Sequence, residues 1–548
     1  MYQTLNFASL TLAFLQLTSL YTRNSNAAPD SHPSFSPPRI GTSEKASATL
    51  WFAIVPDKLD WEDTPWKTET NFFEAFRKTF YHILLPPKKF AIHEMRSENP
   101  DIGLLAFLMD VIPGNTQEIL NFANGRNLSP FLQVVSSPHV YLNSPFTQEF
   151  KDQDIFQNVD YYDPNEQASS DNAAVGDESP IEEALNFEDI SAGQDPRVVS
   201  IRYPSPGLLL LSTPPGVSEK QMWDLKWRWK AAGQGTVLFV VDTGCDTRHP
   251  DLRKTKFKDW IYGGPMALEE PGDFPTARDA TGYPITHGTS MVATAVGQAD
   301  GVAVNPEVVV VKVKANNGRP IAHEFLFADA LMNLYDYIWR KKLGNRCVIN
   351  MSFGAAEDAT LVGIYPIGVF YRKITSALLR LGCYVAAAAR NVKYRDNVKT
   401  GRLEKVNIYP ALLGRLNNPE YKRFVAVGGH DLDLNIITQT DAFVKIFALA
   451  TNLYSAKGFD PSRDYKFDTP EKRWLWFKYG DSSASAATAQ VSGLLATFMS
   501  LGIEDPVAHL YAISKKGKRG IVRQIAFNGI YADQWPTYLR PPGYRRIV

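Results

Sequence analysis

Beyond Val198 the chain is punctuated by short, nearly continuous apolar runs: Thr236–Val241, Val308–Val313, Cys347–Met351, Cys383–Ala386, Phe424–Val427 and Val444–Phe447. Runs that do not alternate with polar residues predict strands buried on both faces. Longer helix-like stretches separate several of them, notably Ala322–Lys342 and Gly368–Leu381. Strands alternating with helices predict an α/β domain, a parallel sheet with helices on both faces, over residues 198–548.

The pattern upstream is different. Thr49–Val55, Phe90–His93 and Gly103–Met109 read as strands, and Asn71–Phe80 and Thr116–Ala123 as helices. Together they predict a small α+β domain over 46–145, with its helices on one sheet face. Residues 151–197 then carry repeated Asp and Glu among Ser, Asn, Pro and Gly. Such a segment buries too little apolar surface to offset its ordering entropy, so it reads as a flexible acidic linker open to proteolytic cutting. At the start, Phe7–Leu20 is an apolar run diluted by Thr, Ser and Gln, followed by Ser25-Asn26-Ala27. This predicts a signal peptide over 1–27, and hence a secreted, extracellular product with no membrane contact after its removal.

Composition narrows the classes. The 548 residues hold 58 basic and 58 acidic side chains, 44% hydrophobic and 21% charged, which excludes global disorder. Nothing in that balance attracts a polyanion, so no nucleic-acid partner is expected. Apart from the N-terminus, no apolar stretch reaches the ~20 residues of a spanning helix. Three cysteines cannot form a dense disulfide framework.

Three segments carry chemistry. Asp242 ends an apolar run and is followed by Thr243-Gly244, which can hold a carboxylate fixed and partly desolvated. His287 stands in Thr286-His-Gly-Thr289 at the start of a small-residue helix, whereas His249, in a His-Pro turn, reads as structural. Ser482, Ser483 and Ser485 lie in a turn before an Ala-rich helix; each is a candidate N-cap, and Ser482 or Ser485 a candidate nucleophile. The order Asp, His, Ser along the chain is that of the subtilisin-type catalytic triad.

At this point the chain resembles the subtilisin-like serine proteases (subtilases, peptidase S8). The resemblance rests on Asp242-Thr-Gly…His249-Pro-Asp-Leu252, His287-Gly-Thr-Ser-Met-Val-Ala-Thr294, Gly301-Val-Ala…Val311-Lys-Val and Val348-Ile-Asn-Met-Ser-Phe-Gly354. It continues through Tyr409-Pro-Ala411 and Val425-Ala-Val-Gly428, covering Trp223–Leu501. It implies a catalytic set of Asp242, His287 and Ser485. Ser485 is favoured over Ser482 because an ungapped count back from Val491-Ser-Gly-Leu494 reaches it. It also implies Asn391 as oxyanion donor, from Ala386-Ala-Ala-Ala-Arg-Asn391, and Ser352, Phe353 and Gly354 as the substrate edge. No organic cofactor is required and no metal-ligand set is legible.

The expected partners are protein or peptide substrates and the chain's own N-terminal domain acting as a propeptide, with the protein a monomer. Three positions depart from the family pattern: Ser483-Ala484 replaces Gly-Thr, Arg390 replaces a Gly, and Ala489 replaces a Pro. They motivate a rival expectation, a catalytically silent subtilase fold that binds proteins through its cleft. Cys347 and Cys383 begin strands that the resemblance makes neighbours, and the expectation there is buried free thiols.

Overall fold

The structure is a computed structural model. It describes residues 49–54, 92–99, 102, 104–111, 133–136, 139–142, 195–202, 206–222, 225–263, 277–278, 284–298, 301–313, 321–356, 366–392, 403–456, 476–479, 483–516 and 524–546. The proposed signal peptide, both N-terminal helices, nearly all of the linker and Ser482 lie outside them. The chain divides into two compact units, residues 1–138 with 359–370, and 139–358 with 371–548.

In the first unit the strands are β1 (Thr49–Ile54), β2 (Ile92–Arg96), β3 (Leu104–Val111) and β4 (Gln133–Ser136). They form an antiparallel sheet in the order β2-β3-β1-β4. The three strands expected from the sequence are present, with β4 in addition.

In chain order, the second unit begins with β5 (His139–Leu142), β6 (Val198–Arg202), α1 (Pro206–Ser212), β7 (Leu225–Trp229), β8 (Val237–Asp242) and β9 (Lys256–Gly263). Next come β10 (Ala277–Arg278), β11 (Pro284–Ile285), α2 (His287–Val296), β12 (Glu307–Val313), β13 (Ile321–His323) and α3 (Glu324–Arg340). These are followed by β14 (Cys347–Met351), β15 (Phe353–Ala356), α4 (Pro366–Arg380, of which 371–380 belong to this unit), β16 (Tyr384–Ala388), β17 (Ile408–Tyr409) and β18 (Phe424–His430). The chain closes with β19 (Ile446–Leu449), β20 (Leu453–Ala456), β21 (Trp476–Tyr479), α5 (Ala484–Ser500), α6 (Pro506–Ile513), β22 (Lys515–Lys516) and β23 (Gln524–Ile525).

The central sheet has nine strands in the order β22-β23-β19-β18-β16-β14-β8-β12-β9, parallel except for β22 against β23. Its central strands are largely apolar because both faces are covered, as β8 shows. Leu238 and Val240 join a core with Met291 of α2 and Leu494 of α5, while the alternate residue Phe239 meets Tyr337 of α3 edge-on at 6.0 Å. Helix α5 is Ala-rich because it lies buried against the sheet and α2. At Gly493 a Cβ would come 2.7 Å from the Val302 Cβ, so a larger residue there would force the helix outward.

The expectation of free thiols is corrected: Cys347 and Cys383 form a disulfide. The parallel register sets Val348 against Tyr384, which brings the two preceding cysteines opposite one another with Cα atoms 4.9 Å apart, within disulfide reach. The bond closes a sequence separation of 36 residues. Replacing both cysteines with alanine is expected to lower the unfolding free energy by about 3–4 kcal/mol through the lost constraint on the unfolded chain. A urea titration of wild type and double variant measures it as a shift in midpoint.

Candidate active site

Asp242 closes β8, Ser352 follows β14 and Asn391 lies just past β16, so the carboxyl ends of three neighbouring strands supply the site. Open parallel sheets place their chemistry at that end. Just past β8, Gly244 takes φ +125°, a backbone angle that other residues rarely adopt. At Gly288 a Cβ would sit 2.1 Å from the Gly244 carbonyl oxygen. The two glycines together let the start of α2 press onto the end of β8, and that contact delivers His287 to Asp242.

The pair is almost wholly buried, at 0% exposure for Asp242 and 1% for His287. His287 Nδ1 lies 2.7 Å from Asp242 Oδ1 and 2.9 Å from Oδ2. The carboxylate also accepts the Thr243 N–H at 2.8 Å, and Thr243 Oγ1 accepts the Gly288 N–H at 2.9 Å. Because an ionised carboxylate only accepts, the ring proton sits on Nδ1 and leaves Nε2 with its lone pair. Nε2 is buried and has no hydrogen-bond partner.

Ser485 is the second residue of α5 and fully buried. Its hydroxyl donates to the Ser352 carbonyl at 3.0 Å, not to His287. A polar chain fixes this helix start to β14: Ser492 Oγ donates to Asn350 Oδ1 (3.1 Å), Asn350 Nδ2 to Ser352 Oγ (2.9 Å), and Ser352 Oγ to the Ser485 carbonyl (3.1 Å). Ser483, one of the serines weighed from the sequence, is the N-cap, accepting the Ala486 N–H at 3.2 Å. Asn391 Oδ1 accepts the Ala484 N–H at 2.7 Å, which turns the amide so that Nδ2 is its donor end. His249 is buried and its Nδ1 accepts the Asp251 N–H at 3.2 Å, a structural role as the His-Pro context suggested.

The structure therefore joins Asp242 to His287 and Ser485 to Ser352, and orients Asn391 through Ala484. Phe353 is buried between Phe327 of α3 (ring centroids 4.1 Å) and Tyr371 of α4 (6.3 Å), anchoring the edge on which Ser352 and Gly354 lie. Beside this edge runs β5, antiparallel both to β15, with Phe353 opposite Leu142 and Gly354 opposite Tyr141, and to β13, with Ile321 opposite Tyr141. Sequence reasoning missed this pairing, which joins segments about two hundred residues apart, and it missed the Asn350–Ser352 link. An Asn two residues before a strand-edge Ser was a visible but weak signal for the latter. Among the described residues, no group of three or more His, Cys, Asp and Glu side chains could hold a metal ion, and no helix is long and apolar enough to cross a membrane.

Residues 233–504 match the family described as "Subtilase family" (Peptidase S8). The chain belongs to the subtilases. Among curated subtilase relatives, the major intracellular serine protease of Bacillus subtilis is 26% identical over 282 residues, 50% of this chain and 71% of that one. Subtilisin-like protease 1 of Trichophyton rubrum is 31% identical over 166 residues, 30% of this chain and 29% of that one. Subtilisin-like protease 1 of Arthroderma otae is 29% identical over 189 residues, 34% of this chain and 33% of that one. The matched stretch thus spans about a third of the length of such fungal subtilases. A crystal structure of a cold adapted subtilisin-like serine proteinase aligns with 59% of this chain and 98% of its own, at 18% identity and a TM-score of 0.39.

Proposed function

We propose that this subtilase is a secreted serine endopeptidase working through Asp242, His287 and Ser485. The observation that carries the reading is the buried Asp242–His287 pair, which leaves a basic, unsatisfied Nε2 at the carboxyl end of the sheet. In the proposed reaction His287 Nε2 takes the Ser485 Oγ proton as Oγ bonds to a peptide carbonyl carbon, and Asp242 stabilises the resulting imidazolium. The same proton then goes to the departing amine, leaving an acyl-enzyme. Water attacks the acyl-enzyme with His287 again as base and frees the acid.

For the first transfer Ser485 must rotate about its Cα–Cβ bond, away from the Ser352 carbonyl. A substrate strand lying along β15 brings an N–H that competes for that carbonyl and so favours the rotation. Asn391 Nδ2 and the Ser485 N–H are the proposed donors to the oxyanion. Asn391→Ala is expected to lower kcat by about 10²–10³-fold with little change in KM, measured with a fluorogenic peptide.

Strand β5 supports a self-directed partner. It lies between β13 and β15, where an extended peptide would add to both strands. The N-terminal domain is accordingly proposed as a propeptide whose exit strand occupies the cleft, with residues 1–27 a signal peptide and 151–197 a linker cut during maturation. The hydrogen bond from Ser485 Oγ to Ser352 O favours a second reading, a silent subtilase fold that binds proteins through this cleft. A serine-directed fluorophosphonate tests the two readings. Labelling that is lost in Ser485→Ala supports the peptidase, and a folded protein that stays unlabelled after its N-terminal domain is removed supports the silent fold.

A further inference from the structure

Arg390 separates β16 from the proposed oxyanion donor Asn391 and is partly buried. Its Nη1 reaches the Asn407 Oδ1 at a loose 3.5 Å, and its backbone carbonyl accepts the Gln439 N–H at 2.8 Å. The acidic side chain of that network, Glu404, is engaged by Gln439 Nε2 at 3.2 Å. Among the described residues, no carboxylate lies in ion-pair reach of the Arg390 guanidinium. A cation set into the site wall without a counter-ion is costly unless something arriving there supplies the charge.

The register shows what arrives. Gly354 pairs with Tyr141 and Phe353 with Leu142, so the next residue of any strand in this lane faces Ser352, whose carbonyl is 3.0 Å from Ser485 Oγ. That next residue is the one whose carbonyl the serine would attack. Directly opposed residues of an antiparallel pair project to one face, and residues two apart share it. Its side chain therefore leaves on the face toward which a Gly354 side chain would point. On that face stands Ile408, with its Cδ1 2.4 Å from the place of a Gly354 Cβ. Arg390 directly precedes Asn391, the proposed donor to that residue's carbonyl oxygen, and its guanidinium reaches Asn407, the sequence neighbour of Ile408. The side chain next to the scissile bond thus meets an apolar floor already filled by Ile408 and a cation at its side.

We propose that Arg390 is a specificity-determining residue that selects an acidic side chain, Asp or Glu, at the position whose carbonyl is attacked. The inference rests on the endopeptidase reading. Ile408 closes the space against large aromatic side chains, and the guanidinium offers paired N–H donors to a carboxylate.

The test uses the secreted protein after the maturation cut in its linker and fluorogenic peptides that differ only in the residue before the fluorophore: Asp, Glu, Asn, Ala, Lys or Phe. Active sites are counted with the fluorophosphonate. The expected result is a kcat/KM for Asp or Glu roughly ten- to hundredfold above Ala, with Lys and Phe below Ala. In Arg390→Gln the Asp-to-Ala ratio falls to near one, and in Arg390→Glu the Asp-to-Lys ratio inverts. These are ratios within one preparation, so partial misfolding of a variant does not move them, and the wild-type series stands without any variant. Labelled enzyme that cleaves the Asp and Ala peptides equally, or prefers Phe, overturns the assignment of Arg390 alone. So does Arg390→Gln if it slows every peptide alike with the ratio intact. A folded wild type that is neither labelled nor active overturns the endopeptidase reading and the preference together.

Discussion

Ser485→Ala is expected to reduce kcat by about 10⁴–10⁶-fold while leaving the protein folded. The loss is large because in the proposed reaction Ser485 Oγ forms the acyl bond, and the alanine left behind supports only binding and oxyanion contacts. The fold should persist because the helix start is held by groups that the substitution spares. Ser352 Oγ binds the Ser485 backbone carbonyl, Asn391 binds the Ala484 N–H, and Ser483 caps the helix through the Ala486 N–H. The hydroxyl bond to the Ser352 carbonyl is lost, a cost of about 1 kcal/mol. Peptide hydrolysis and a thermal melt on the same sample separate the two effects. An unchanged melt with undiminished hydrolysis would move the nucleophile to another serine, Ser482 first.

Asp242→Asn should lower kcat by about 10⁴-fold at neutral pH. The Thr243 N–H bonds Oδ1 at 2.8 Å, so in the variant the oxygen stays there and the amide NH₂ takes the place of Oδ2. That position lies 2.9 Å from His287 Nδ1. With the oxygen 2.7 Å and the NH₂ 2.9 Å from Nδ1, the carboxamide meets either ring tautomer, so the Nδ1–H form is no longer enforced, and a ring protonated on Nε2 cannot accept the serine proton. The buried negative charge that would stabilise the imidazolium is also gone. Fluorophosphonate labelling should slow in parallel with hydrolysis although Ser485 is intact. If labelling continued at the wild-type rate, Asp242 would be a structural carboxylate only.

Much of the site was legible in the residues. A strand-ending Asp-Thr-Gly, a His-Gly-Thr helix start and a serine ahead of an Ala-rich helix were readable because each depends on short-range conditions. Gly244 and Gly288 are needed where β8 and α2 touch, and small residues are needed where α5 meets the sheet. The central sheet was legible for a similar reason, since burial on both faces leaves apolar runs with no polar alternation. The small N-terminal sheet was harder to read. Its fourth strand is four residues long, too short for a period to show.

What the sequence by itself determined is the identity and order of the candidate groups Asp242, His287 and Ser485 and the α/β layering around them. Both follow from side-chain chemistry and local hydrophobic period. Only the tertiary structure decided which groups face each other. It set Cys347 against Cys383, inserted His139–Leu142 between β13 and β15, packed Ile408 onto Gly354 and turned Ser485 toward the Ser352 carbonyl. Each of these depends on strand register or a rotamer chosen by contacts remote in sequence. A one-residue slip in register changes the partner without changing the local pattern, so no periodicity along the chain can report it.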